Sequence, residues 1–233
     1  MKAIILCILC TFAVTLAQGQ IFGKYIIEEV NVSPPQFVGI VTDANTSGNA
    51  SMVAFNQYMS GEIRYPQPAI DKRMQGTEVI QFVVNENGEL MDFNVVSSVS
   101  ELMDEVVIEA LRSTNGKWNP GTNNDENVAM VKQVTVIFAL SHRQDNMVVN
   151  EFKETARILF NKGNRKFLVK GHPKRALRFY DAALNYLPND QSLLLMRGLC
   201  QFQLGNIERA EEDWSRLKEL DGVDESIYQL VDI

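Results

Sequence analysis

The stretch RYPQPAIDKRMQGTEVIQFVV (64–84) joins a short segment bounded by Pro and Gly directly to a nearly continuous apolar run. A residue that precedes proline is pushed out of the α region, so Tyr65 cannot continue a helix from the N-terminal side. Pro66 or Pro68 can begin a helix, because a first-turn N–H has no intrahelical partner, and Gly76 can end it. The pattern predicts a short helix that leads straight into a strand.

The segments that follow predict a strand, a helix and another strand. Asn87-Gly88 is a hairpin-turn signal. LMDFNVVS (90–97) alternates apolar and polar residues, which is typical of a strand with one wet face formed by its Asp and Asn. ELMDEVVIEALR (101–112) repeats apolar pairs every four residues, as does a helix with one buried face. NVAMVKQVTVIFAL (127–140) is long and apolar and is predicted to be the third strand.

A right-handed crossover that skips the neighbouring strand arranges the three strands in the order 2-1-3. Strand 77–84 would then be central, and strand 127–140 would lie at an edge. Upstream, MVAFNQYM (52–59) predicts an amphipathic helix. The apolar face of that helix carries Met52, Phe55, Tyr58 and Met59.

The N-terminal residues predict a secretory signal peptide over 1–19. A positive start is followed by an apolar run over 3–17 and by the small residues of AQGQ. The run is short for a membrane span, which needs about 20 apolar residues, although an uncleaved anchor is the alternative. Cleavage would leave Cys200 as the one cysteine, which excludes an internal disulfide. Residues 20–51 are predicted to form a loosely ordered lead-in.

Charge divides the chain into two parts. Residues 20–150 hold 8 basic and 16 acidic residues, whereas residues 151–233 hold 13 of each. This asymmetry supports two domains, and the acidic balance argues against nucleic acid as a partner.

Residues 152–233 show helical patterns and an internal repeat. Two sets of residues correspond at a spacing of 34, namely Gly171, Ala176, Tyr180, Ala183 and Pro188, and Gly205, Ala210, Trp214 and Leu217. The period resembles that of tetratricopeptide repeats, in which small residues let paired helices approach. The match is partial, because Asn164 corresponds to Gly198 and Gly222 to Pro188. We therefore expect an all-α domain of two repeats, and a capping helix over 225–233.

Basic residues are concentrated between 153 and 178. The candidate surface for an acidic partner consists of Lys162, Arg165, Lys166, Lys174, Arg175 and Arg178. A solvated helix face is the simplest interpretation of this cluster. The alternatives are docking to the acidic domain and binding of an acidic peptide in the repeat groove.

The sequence offers no catalytic constellation. His142 and His172 lie in different predicted domains, and no Cys/His cluster has the spacing of metal ligands. A nucleophile elbow and a phosphate-binding loop are both missing. We expect no enzyme activity, no metal, no cofactor and no small-molecule substrate.

Residues 52–138 resemble the TonB C-terminal domain family. The residues that carry the resemblance, in order and at family spacing, are Tyr65, Pro66, Ala69, Gly76, Asn87 and Gly88 within FVVNENGEL, Asp104, Ala110, Leu111, Lys117, Trp118, Pro120 and Phe138. Val107 replaces a common Ala, and Asn124-Asp125 replaces a Gly-Lys turn. The resemblance implies an α+β fold over 52–140, with a three-stranded antiparallel sheet backed by two helices.

The resemblance also implies a binding site. Family members bind an extended segment of an outer-membrane transporter as an added strand on the edge formed by the last strand. The corresponding residues are Met130, Val131, Lys132, Gln133, Val134, Thr135 and Val136. We expect a periplasmic module that captures an envelope protein in this way.

Three alternatives stay open. The edge could be covered by residues 21–50. The TonB-like domain could be a docking or homodimerisation module beside a repeat scaffold that acts in envelope assembly. An uncleaved signal would instead give an energy transducer anchored in the inner membrane.

Overall fold

The computed structural model describes residues 31–39, 48–140, 145–220 and 228–231, and for 228–231 it describes the backbone. The predicted signal peptide lies outside these ranges. Within them, no helix combines the length and apolar character that are needed to cross a membrane. All described residues belong to one compact unit.

Nine strands, seven α-helices and one π-helical turn make up the described part. In chain order they are β1 (Val32–Ser33), β2 (Gln36–Phe37), α1 (Gly48–Glu62), α2 (Gln67–Asp71), β3 (Gly76–Val84), β4 (Leu90–Ser97), α3 (Glu101–Arg112), β5 (Trp118–Asn119), β6 (Gly121–Asn123), β7 (Glu126–Val128), β8 (Met130–Phe138), α4 (Asp145–Asn164), the π-turn (Arg165–Val169), α5 (Pro173–Leu184), α6 (Gln191–Gln203), α7 (Ile207–Leu220) and β9 (Tyr228–Val231).

The main sheet has the strand order β4-β3-β8-β9. Its first three strands are antiparallel and follow the predicted order 2-1-3, with β3 between β4 and β8. The prediction of three strands with the last one at an edge is wrong, because β9 pairs in parallel with Thr135–Phe138. The capping helix expected over 225–233 is also wrong, since 228–231 is a strand. Its sequence YQLV has high β-propensity, and a sheet edge offers a row of main-chain hydrogen-bonding groups.

The short helix predicted to lead into the first strand, called the entry helix below, is present as α2 and ends earlier than expected. Pro66 is extended (φ −66°, ψ 131°) immediately before α2. The helix stops before Arg73, which adopts a left-handed conformation with φ +51°. Gly76 is therefore the first residue of β3 rather than the end of the helix. A Cβ on Gly76 would lie 2.7 Å from the carbonyl oxygen of Asn185, so a close main-chain approach requires this glycine.

Helices α1 and α3 cover one face of the sheet. Phe55 and Met59 from α1 and Met103 and Val107 from α3 are buried in the same core as the inward residues of β3 and β8. Their spacing is the one predicted for an apolar helix face. Met52 and Tyr58 lie at the margin of this core, half-buried against it.

Trp118 is the centre of the aromatic core. Its ring centroid lies 5.5 Å from that of Phe37, 5.2 Å from that of Phe55 and 5.7 Å from that of Phe82. The indole N–H donates to the hydroxyl of Thr114 at 2.9 Å, which satisfies the one polar atom of the buried ring.

Part of the lead-in belongs to this core. Strand β2 pairs with β5, and β1 pairs with β6. Phe37 is 3% exposed, and its carbonyl oxygen accepts a hydrogen bond from Ser51. The prediction of a loosely ordered segment over 20–51 is therefore wrong for 31–39, and α1 already begins at Gly48.

Strand β4 does not keep the phase that its sequence suggests. Met91 and Val95, predicted with Phe93 on the buried face, are 44% and 37% exposed. The register with β3 shifts between Gln81 and Val83, and Asp92 has φ +51°. A β-bulge inserts one extra residue into a strand. Residues beyond it therefore lie on the face of the sheet opposite to the one that simple alternation predicts.

The C-terminal half consists of two helical hairpins. It begins at Asp145, earlier than the predicted 152. Gly163 approaches the Tyr180 ring and Gly198 approaches the Trp214 ring, and an added Cβ would lie 2.5 Å from each ring. The sequence analysis predicted that Asn164 corresponds to Gly198. The structural equivalent of Gly198 is instead Gly163. The π-turn accommodates the extra residue between Gly163 and Gly171.

We expect Gly198→Ala to lower the free energy of unfolding by roughly 1–3 kcal/mol, because the added methyl group overpacks against Trp214. Gly61→Ala is the matched control, since Gly61 also lies in a helix but no atom lies within 4 Å of its added Cβ. Alanine should be neutral or stabilising there. Urea unfolding of both variants gives the comparison, and equal stability changes would contradict the close approach.

Candidate functional site

The second face of the sheet is covered by the helical half. Thr77 donates from its N–H to the Asn185 carbonyl at 2.8 Å and from its hydroxyl to the Tyr186 carbonyl at 2.7 Å. Phe152 and Tyr186 contact each other edge to face, with ring centroids 5.0 Å apart. They pack beside Ile137 of β8. The seam between sheet and helices is therefore both hydrogen-bonded and apolar.

Arg216 ties the last helix to β8. It is 8% exposed, and its guanidinium donates to the side-chain oxygen of Gln133 and, at 2.8 Å, to that of Asn189. Glu219 pairs with it at 3.0 Å. This places the end of α7 beside the strand predicted to bind a peptide.

The seven predicted edge residues all lie in β8, in unbroken register with β3. Val131 is the most exposed at 64%, whereas Gln133, Val134, Thr135 and Val136 are buried. Met130 and Lys132 are half-buried. The pairing with β9 involves Thr135 to Phe138, the last four of the nine residues of β8. Binding of a peptide to this edge stays a prediction.

A cavity of about 420 Å³ opens in the seam next to the paired part of β8. Sheet residues Thr77, Thr135 and Ile137 line one side of it. Phe152 and Leu187 belong to the helical side, so most of the lining is apolar. Side chains of any strand added to β8 alternate between the two faces of the sheet, and every second one is directed towards the seam.

The motif residues that suggested the family act mainly in the architecture. The Tyr65 hydroxyl donates to the Met74 carbonyl, and burial raises the pKa of Tyr65 to about 12. Its ring contacts Phe138 edge to face, with centroids 5.3 Å apart. These contacts hold the entry helix against the end of β8.

The β3–β4 turn depends on Asn85 more than on Asn87. The Asn85 side chain accepts from the N–H groups of Asn87 and Glu89, both at 2.9 Å. Gly88 has φ +78°, and an added Cβ would lie 2.1 Å from the Trp118 carbonyl oxygen and 3.9 Å from Pro120. The sequence signal located the turn but did not identify its hydrogen-bonding residue.

A second turn accounts for a departure from the family pattern. Asn124 and Asp125 have φ +50° and +66° between β6 and β7. Two successive left-handed residues are typical of a two-residue hairpin turn, and Asn and Asp tolerate this conformation. Across the described ranges, no group of three or more His, Cys, Asp or Glu side chains could hold a metal ion.

Glu78 is a buried carboxyl group that the sequence analysis missed. It is 0% exposed, and its Oε2 accepts from the N–H of Val99 at 3.1 Å. Burial raises the pKa of Glu78 to about 9, and its hydrogen bond with Asp104 adds to the shift. A lone acid within an apolar strand is the signal that could have identified it.

We expect Glu78→Gln to make stability less dependent on pH. The raised pKa means that protonated Glu78 contributes fully below its unfolded value of 4.5, and that this contribution is lost as pH rises towards about 9. The wild-type protein should therefore lose about 1.4 kcal/mol per pH unit in that window. Urea unfolding between pH 5 and 9 measures the slope. Exposed Glu105→Gln is the control, and a Glu78→Gln slope as steep as that of the control would contradict the assignment.

The six candidate cations lie on the outer surface of the helical half. Lys166 is half-buried and the other five are exposed. Lys166, Arg175 and Arg178 line a groove of about 580 Å³ together with Leu159 and Phe179. The seam contacts described above use other residues, and binding of an acidic partner by these cations stays a prediction.

Helix α4, the π-turn and helix α6 also expose apolar side chains. The group consists of Ile158, Leu168, Val169, Leu195, Leu199 and Phe202, between 38% and 77% exposed. Leu168 and Phe202 are separated by the repeat length of 34 residues. Exposed apolar side chains that form a contiguous patch are typical of a binding site for another protein.

Comparison with known families addresses the sheet half. Residues 61–140 match the family model described as Gram-negative bacterial TonB protein C-terminal. The resemblance predicted from the sequence motifs is confirmed over these residues. The match supports a protein-interaction module of the TonB type over these residues. The resemblance of 152–233 to tetratricopeptide repeats stays a prediction.

Two solution structures of the Helicobacter pylori TonB C-terminal domain are similar to part of the chain. One is 19% identical, has a TM-score of 0.35 and covers 43% of this chain and 89% of that one. The other is 21% identical, has a TM-score of 0.31 and covers 40% and 96%. A comparison with curated proteins finds no match.

Proposed function

We propose that this protein is a periplasmic binding module that captures an extended segment of an envelope protein, such as an outer-membrane transporter, as a strand added to β8. The observation that supports this best is β9, a segment of the chain itself that pairs with the outer side of β8 at Thr135–Phe138. The outer side of β8 therefore has main-chain N–H and C=O groups that can pair with an added strand. The TonB-type match over 61–140 supports the same class of partner.

Main-chain pairing would supply the affinity in this mechanism. A net hydrogen bond contributes about 1 kcal/mol, so a segment of five or six residues can reach micromolar affinity with the help of apolar contacts. Selectivity would come from alternate side chains. Those directed towards the seam meet the cavity lined by Ile137, Phe152 and Leu187.

Proline substitutions in β8 test strand addition. Neighbouring residues of an antiparallel strand direct their N–H groups to opposite sides, so only one of Val131→Pro and Lys132→Pro loses an outer donor. The variant that keeps its native fold by circular dichroism is the one that lost the outer donor. We expect it to bind the captured segment at least tenfold more weakly, because a bound carbonyl loses its partner and the ring obstructs the added strand.

The assay first identifies the captured protein in an envelope extract and then measures binding of its purified segment. Asn94→Pro and Val95→Pro on the opposite edge strand β4 are compared in the same way, and whichever keeps its native fold is the control and should leave binding unchanged. Undiminished binding by a natively folded β8 variant would show that strand addition is wrong.

The helical half supports a second candidate function, in which a tetratricopeptide-like scaffold binds the partner and the sheet is a docking or dimerisation module. The observations in its favour are the exposed apolar group described above and the groove lined by cations. The double variant Leu168→Ser, Val169→Ser changes the two most exposed side chains of this group. If the scaffold binds the partner, this variant loses capture and the folded β8 variant retains it. The strand-addition proposal predicts the reverse.

The periplasmic location rests on cleavage of the predicted signal peptide. The mass of the mature protein decides this point. A mature protein that retains Met1 would instead support the anchored energy transducer.

A further inference from the structure

The strand β9 occupies part of the edge on which the proposed function depends. Tyr228 pairs with Thr135 and Val231 pairs with Phe138, in a parallel ladder of four residue pairs. Two of the seven predicted edge residues, Thr135 and Val136, are included in it. An incoming strand that needs the length of β8 therefore meets a segment that is already in place.

The contact made by Arg216 explains how the C-terminal segment reaches this position. Through its bonds to Gln133 and Asn189, the end of α7 is held beside β8. Seven residues connect Leu220 to Tyr228. At about 3.3 Å per residue they can span more than 20 Å, whereas Gln133 and Phe138 are separated by roughly 17 Å of strand. The connection is therefore long enough for β9 to reach the edge.

We propose that β9 is a built-in strand that closes the capture edge, and that a partner segment binds by displacing it. This inference rests on the proposed function and concerns the regulation of the same site. Four parallel pairs form a short ladder, and parallel pairing is slightly less stable per residue than antiparallel pairing. An antiparallel segment that pairs along more of β8 would form more hydrogen bonds and replace it.

The attachment of β9 determines how strongly it competes. A tethered segment competes at an effective concentration on the order of millimolar, which favours closure even when the pairing is weak. The apparent affinity of a partner is reduced by the fraction of molecules whose edge is open. An edge that is open in roughly one molecule in ten would weaken partner binding roughly tenfold.

The test compares the full chain with a chain that ends at Gly222. Hydrogen exchange of the β8 amides between Thr135 and Phe138 reports pairing of the edge. We expect faster exchange of outer amides in the shortened chain, and restored protection when the synthetic peptide DESIYQLVDI (224–233) is added at millimolar concentration. Equal exchange in both chains, or a peptide without effect on the shortened chain, would overturn the proposal.

Two proline variants of the full chain provide the same test without truncation. Of Gln229→Pro and Leu230→Pro, one removes an N–H that is directed to β8 and the other removes one directed away from it. We expect the two variants to differ. The variant that loses the N–H directed to β8 should show rapid hydrogen exchange of the β8 amides between Thr135 and Phe138. Native-like exchange in both variants would contradict the role of β9, even if the shortened chain failed to fold.

Capture from envelope extract separates this proposal from the proposed function. If both are right, the shortened chain captures the partner segment roughly tenfold more tightly than the full chain does. If strand capture is wrong, neither chain captures a segment on β8, while the exchange data still show whether β9 covers the edge. Capture that is equally tight in both chains shows that β9 does not regulate the site.

Discussion

The close approach of two main-chain segments, at Gly76 and Asn185, is the constraint on which the rest of the structure depends. A Cβ at this position would lie 2.7 Å from the Asn185 carbonyl, and the same carbonyl accepts the N–H of Thr77. The first residues of the central strand are thereby fixed to the loop after α5. This contact brings the helical half onto the sheet, and with it the apolar seam, its cavity and the bond from Arg216 to Gln133.

Coverage on both faces explains the character of the central strand. Strand β3 has α1 and α3 on one side and the helical half on the other, so its sequence is nearly continuously apolar. Glu78 is the exception, and it remains buried because its carboxyl group is held by Val99 and Asp104. An acid at this place links the protonation of one side chain to the packing of the sheet.

Sequence periodicity and the backbone preferences of Pro and Gly predicted the elements that depend on neighbouring residues alone. The order of the antiparallel strands, the buried face of α3 and the Tyr65-Pro66 entry follow from periodicity and backbone chemistry. The bulge at Asp92, the burial of Phe37 and the pairing of β9 depend on distant partners, which periodicity does not reveal. The close contact with the Tyr180 ring is made by Gly163 and not by Asn164. A fixed repeat spacing of 34 residues predicts the wrong residue here, because the π-turn contains one extra residue. Of the candidate site, the sequence located the strand but not the seam cavity beside it.

The seam described above also shows that the packed domain extends beyond the residues that match the family model. The family match ends at residue 140, yet Ile137 and Ala139 pack on Val148 and Phe152 beyond it, and Phe37 packs in the core before it. A fragment cut at the limits of the family would expose these apolar surfaces to water. The segment that matches the family model is therefore smaller than the packed unit to which it belongs, and the residues outside the match are structural parts of that unit.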